Sequence, residues 1–234
     1  MAWIGLATVN VLWGIAALLD PSIALEPGLP HPIVLFAAHT FSGLTMFFRK
    51  SRPLALLMTA GITGYYSLLI KPFEPIAEPQ TVGIFFIAIS MLLSHVEKPT
   101  PLNKLVRFAR IVLFRAGIAY PFFEWGLDAY RNPVHFISYI RGNNLARTIA
   151  SPLGLENAVF ALFVVEVSLS LFIMTGFARK LAGITAAALL VLFSFVAAYP
   201  LALPQNIALI TASVLYAREK DHFMRLNLMS VKSS

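Results

Sequence analysis

Apolar residues along this chain come in long runs rather than in strict alternation. Eight runs stand out, at residues 2–19, 32–48, 53–71, 80–96, 107–127, 157–177, 180–199 and 201–217. A bilayer-spanning helix needs about 20 mostly apolar residues, within a usable range of about 17–25. The pattern therefore predicts an all-α membrane protein with eight transmembrane helices. Pro79 and Pro204 fall at the first turns of the fourth and eighth runs, where a missing N–H costs least. The longest outer connection, from Asp128 to Ile149, joins the fifth and sixth runs. After Pro133 it spaces Val134, Ile137 and Ile140 in a roughly helical way. That spacing predicts a short interfacial helical segment, of one or two helices, lying flat on the outer leaflet.

The runs are also duplicated, and a missed repeat mis-assigns a whole fold. Phe36-Ala-Ala-His39 sets over Phe163-Val-Val-Glu166 at an offset of 127 residues. Leu54-Ala55 then falls on Leu181-Ala182, with a basic cluster just before each (Arg49, Lys50, Arg52; Arg179, Lys180). Pro79-Gln80 recurs as Pro204-Gln205, and Glu97-Lys98 as Glu219-Lys220. Two tandem four-helix repeats are predicted, residues 1–100 and 101–220, followed by a cytoplasmic tail, 221–234. An even helix number per copy makes the copies insert in parallel, with His39 and Glu166 at matching depth.

Composition agrees with a membrane protein. The chain has 234 residues, 58% hydrophobic and 12% charged, against about 45–50% apolar and about 25% charged in a soluble domain. The net charge of +7 does not form a nucleic-acid stripe, because the basic residues sit at the ends of apolar runs. Of the 18 Lys and Arg residues, 13 fall after the second, fourth and sixth runs or in the tail. The positive-inside rule then puts both termini in the cytoplasm and the chain in the cell membrane. With no cysteine there is no disulfide, thiolate catalysis, iron–sulfur cluster or Cys-ligated zinc. The first residues lack a basic n-region and a small-residue cleavage site, so the first run is expected to stay as a helix.

Candidates for chemistry fall in three places. Glu166 lies about ten residues into its run; a carboxylate at that depth costs at least ~2.5 kcal/mol and normally faces protein or a cavity. Arg115, mid-way through the fifth run, is its expected partner. Two readings of that pair stay open: a proton or quinone-headgroup site, or a structural ion pair. His39 holds the position equivalent to Glu166. Haem ligation would need a second histidine at matching depth, and His31, His95, His135 and His222 all lie near boundaries or in loops. A helix-bridging hydrogen bond from His39 to Ser42, Thr40 or a backbone carbonyl is expected, and no chromophore. Glu124 and Asp128 are one turn apart among Tyr120, Trp125 and Tyr130. Such a cluster is either a cation or quinone-headgroup contact, with His135 as a third ligand, or an ordinary interfacial aromatic belt. No phosphate loop, Ser/His/Asp ordering or zinc-type His pair is present.

The stretch from Arg110 to Lys220 resembles the DoxX/DoxD-like membrane proteins. The likeness rests on Arg110-Ile-Val-Leu-Phe-Arg115-Ala-Gly117 leading to Glu124-Trp125, on Val165-Glu166, Gly176 and Arg179, and on Asn206 opening the last run. Glu124 stands where that family commonly has Lys, and His39 replaces the Glu in the N-terminal copy. The resemblance implies a four-helix unit and an association with membrane redox systems, including the membrane part of a thiosulfate:quinone oxidoreductase. The expectation is an accessory or quinone-contacting membrane subunit of a redox or respiratory-type complex, non-catalytic by itself. It would have no covalently bound cofactor, quinone or lipid as ligand, and lipid and other membrane subunits as partners. A small-molecule transporter or channel, and a stand-alone quinone-dependent oxidoreductase, are the alternatives.

Overall fold

The computed structural model describes residues 2–19, 31–69, 78–96, 103–196 and 202–218. Every regular element among them is helical: α1 (Ala2–Leu19), α2 (Pro32–Thr45), α3 (Arg52–Leu69), α4 (Glu78–Val96), α5 (Asn103–Arg131), α6 (Pro133–Gly142), α7 (Asn144–Ala150), α8 (Leu155–Thr175), α9 (Arg179–Val196) and α10 (Ala202–Arg218). The eight apolar runs coincide with α1–α5 and α8–α10. The expected interfacial segment is the pair α6 and α7. Glu97-Lys98, Glu219-Lys220 and the tail lie outside the described residues.

Local sequence sets the ends. Pro133 starts α6, where its fixed φ and missing N–H suit a first turn. The Asn143 side chain accepts from Ala146 N at 3.1 Å and caps α7. Gly176, at φ 78°, closes α8 in the left-handed conformation that only glycine adopts freely. Helix α5 begins at Asn103, four residues before its apolar run, because Asn103-Lys104-Leu105-Val106 continues the turn without being apolar enough to mark it.

Among the described residues three helices, α1, α8 and α9, are long and apolar enough to cross a membrane. Helices α8 and α9 are also largely uncovered: only 28% and 22% of their most apolar windows are buried. The outward surface is rich in large apolar side chains, among them Phe41, Phe47 and Phe48 on α2 and its turn and Phe160, Leu171 and Phe195 on α8 and α9.

Helix packing follows a repeated scheme. Helix α1 packs on α2 and α3 on α4; α5 packs on α8 and α9 on α10. Two further contacts, α4 on α5 and α1 on α10, join the chain halves, with α4 and α10 touching between them. The joins need close approach. A Cβ added to Gly117 on α5 would lie 2.7 Å from Gly83 O on α4, and one added to Gly83 would lie 2.5 Å from Gly117 O. On the other join, a Cβ on Gly5 of α1 would meet the Ala208 Cα of α10 at 3.1 Å. Small residues at such crossings let backbones come together, which is how helices associate where no hydrophobic driving force exists between them.

Individual contacts recur as well. Trp13 meets Tyr66 edge-on at 6.0 Å, and Trp125 meets Phe193 edge-on at 5.8 Å. Gly14 lies under Thr40 and Gly126 under Val167. Ser67 Oγ is 3.2 Å from Thr81 Oγ1, and Asn206 Nδ2 donates to Ser194 Oγ at 2.9 Å. Across the middle, Gln80 Nε2 donates to Asn206 Oδ1 at 2.6 Å.

Candidate functional site

The strongest concentration of buried polar groups lies between α1, α2 and α3. His39, Asn10, Ser42, Thr59 and Thr63 are all buried. Asn10 is the hub. Its Nδ2 donates to Leu6 O at 2.8 Å and to Thr59 Oγ1 at 3.0 Å, which leaves Oδ1 free to accept. His39 Nδ1 lies 3.0 Å from that Oδ1. Because Oδ1 can only accept, Nδ1 carries the ring proton; the tautomer is assigned from the network. His39 Nε2 then accepts from Tyr66 OH at 2.6 Å. Thr59 and Ser42 both donate to Ala55 O, at 2.9 and 3.0 Å. Both ring nitrogens of His39 are thus satisfied. Its partners are Asn10 and Tyr66, not Ser42, Thr40 or a carbonyl as the sequence suggested, because α1 and α3 approach the ring edge while Ser42 turns toward α3.

Glu166, the counterpart of His39 on α8, is 1% exposed. Among the described residues its Oε2 has no hydrogen-bond partner. The expected pairing with Arg115 does not occur. Arg115 donates Nη1 to Met174 O at 3.1 Å and lies against Gly176, near the far end of α8. Glu166 instead sits beside Gly126 of α5, where a Cβ would meet its own Cβ at 3.1 Å. Gly126 and Arg115 are eleven residues apart on one helix, about 16 Å at the α-helical rise. The two side chains are on adjacent helices at different levels. A double-mutant cycle of Glu166→Gln and Arg115→Leu, read by unfolding in detergent, should therefore give a coupling below about 0.5 kcal/mol, as for separated sites; coupling of about 1 kcal/mol or more would mean that the side chains meet after all.

The aromatic end of α5 does not converge on one point. The Trp125 ring faces α9 through Phe193, whereas Tyr130, 63% exposed, lies over Phe163 of α8 at 5.0 Å. Glu124 is half-buried. Asp128 accepts from Asn132 Nδ2 at 2.6 Å and meets His135 Nδ1 at 3.4 Å, at an open hollow of about 470 Å³ lined also by Arg131 and Val134. Among the described residues no three His, Cys, Asp or Glu side chains come together as a metal site would require.

Asn10 and Tyr66 escaped the sequence reading although a signal for both existed. Gly5-Leu-Ala, Trp13-Gly14 on α1 and Gly117-Ile-Ala, Trp125-Gly126 on α5 match at an offset of 112. That alignment sets Asn10 on Phe122, and the 127 offset sets Tyr66 on Phe193. The two partners of His39 thus correspond to phenylalanines in the second half, both of which pack against Trp125. No family model, curated protein or solved structure matches the chain.

Proposed function

We propose that this chain is an eight-span integral membrane protein of the cell membrane, built from two parallel four-helix copies, that serves as a membrane subunit of a redox complex. The reading of eight spans is supported by the uncovered apolar surface of α8 and α9, which a domain in water would cover. The reading of two copies is supported by the recurring contacts of Trp13 with Tyr66 and Trp125 with Phe193. In it the connection α6–α7 rests on the outer leaflet, where Val134, Leu145 and Ile149 are exposed beside Arg141 and Arg147.

The single observation that carries the redox reading is His39, a protonatable ring held on both nitrogens within the span. Ionisable groups inside a membrane are costly, and they mark proton or substrate paths. The DoxX-like pattern around Arg115, Glu124 and Glu166 points the same way, to quinone-linked systems; Glu124, Trp125 and Tyr130 would then contact a headgroup at the outer boundary. Gentle detergent extraction followed by mass spectrometry tests this. A redox protein carrying flavin, haem or another centre should co-purify in stoichiometric amount. A chain that purifies alone and mediates solute flux in liposomes would instead support a transporter.

A further inference from the structure

The bond from Tyr66 to His39 does more than satisfy a buried hydroxyl. Tyr66 OH lies 2.6 Å from His39 Nε2, and across the ring Nδ1 lies 3.0 Å from Asn10 Oδ1. We propose that Tyr66 is a redox-active tyrosine, giving one electron to a high-potential one-electron acceptor of a partner subunit while its phenolic proton moves to His39 Nε2. This rests on the redox-complex reading above.

The step balances within the triad. The Tyr66 O–H bond breaks and an N–H bond forms at Nε2, leaving a neutral phenoxyl radical and an imidazolium. The imidazolium keeps its other N–H on Asn10 Oδ1. The acceptor is reduced by one electron. A reduced one-electron metal centre of the partner subunit then returns the electron, and the proton goes back from Nε2 to the phenolic oxygen.

Three features favour this use over plain structure. Loss of an electron turns a phenol into a strong acid, and in a packed interior the proton needs an acceptor already in place. Trp13 covers the pair on one side, packing edge-on against His39 at 5.4 Å and against Tyr66 at 6.0 Å. An electron needs no channel, and Tyr65, 40% exposed, brings its ring to 6.3 Å from Tyr66. That gives an acceptor a place to approach. The second copy has Phe193 and Glu166 at these positions, so the pair occurs in one copy only.

The test uses the purified full-length chain in detergent, oxidised with hexachloroiridate(IV), freeze-quenched and read by electron paramagnetic resonance. Ring-deuterated tyrosine identifies a tyrosyl signal, and nitrogen-15 histidine reports its hydrogen-bond partner in the unaltered protein. The expected result is a tyrosyl radical coupled to a histidine nitrogen. It should be lost in Tyr66→Phe and kept in Tyr65→Phe. In His39→Gln it should form about 10²-fold more slowly, the lower range of what a positioned proton acceptor contributes. A radical of undiminished yield in Tyr66→Phe, or one without histidine coupling in the unaltered chain, overturns the proposal. Because the oxidant is chemical, this outcome is independent of co-purification: a Tyr66 radical in a chain with no redox partner would retire the complex and keep the site, and a partnered chain without the radical would do the reverse.

Discussion

Gly117→Val should be among the most damaging single changes in this protein, lowering stability by about 3 kcal/mol, the upper end for forced overpacking. The first methyl-sized atom on that α-carbon meets Gly83 O at 2.7 Å and Ile87 Cγ1 at 2.6 Å. One of those neighbours is backbone, so a rotamer change cannot relieve it and α4 and α5 must separate. Their separation opens the join between the chain halves and withdraws the cover from Phe114, Ile118 and Ile87. Gly61 is the control, since a Cβ there meets nothing within 4 Å. Gly61→Ala should be neutral or gain up to about 1 kcal/mol from helix propensity. Unfolding in detergent, followed by circular dichroism, reads both; equal midpoints for the two variants would mean that α4 and α5 do not cross at Gly83 and Gly117.

Asn10→Ala should cost about 2–4 kcal/mol, because it breaks a hub rather than a single bond. It strands the His39 Nδ1–H and withdraws a donor from Leu6 O and Thr59 Oγ1, all in the interior. Hydrogen bonds between helices in lipid are individually modest, about 0.6 kcal/mol on average. The larger figure expected here comes from leaving the buried His39 Nδ1–H without an acceptor while α1 also loses its side-chain bond to Thr59 of α3. Tyr66→Phe removes one bond and should cost less, about 1 kcal/mol. The ranking is the informative part: Tyr66→Phe as damaging as Asn10→Ala, in the same unfolding assay, would make Tyr66 and not Asn10 the centre of the network.

The eight long elements were legible because each carries its own signal, a run of apolar residues long enough to need no neighbour for its recognition. Helices α6 and α7 were legible for a similar reason, through Pro133 and the spacing after it. The pairing of Arg115 with Glu166 was not. Sequence can say that two helices of a repeat are adjacent, but the level at which side chains meet depends on register. That register is fixed here by the close approach of Gly126 to Glu166 and of Arg115 to Gly176, eleven residues away along α5. The His39 triad was hidden by the insertion of α6 and α7. They lengthen the connection between the first two helices of the second half by 15 residues, which is the difference between the offsets of 127 and 112. An alignment at one fixed offset therefore matches α2 with α8 and α3 with α9 but misses α1 with α5. With α1 unmatched, Asn10 is only a lone amide in an apolar run.

Parallel insertion of the two halves is the claim on which the rest depends, and the chain's freedom from cysteine makes it directly measurable. Single cysteines are placed at Lys50, exposed in the turn before α3, at Lys180, exposed in the first turn of α9, and at Ser138, exposed on α6. Intact cells are treated with a membrane-impermeant thiol reagent before and after permeabilisation. The account predicts that Ser138→Cys is labelled in intact cells and that Lys50→Cys and Lys180→Cys are labelled only after permeabilisation. Labelling of Lys50→Cys and Lys180→Cys from opposite sides would contradict it, since the halves would then be inverted and no longer two parallel copies.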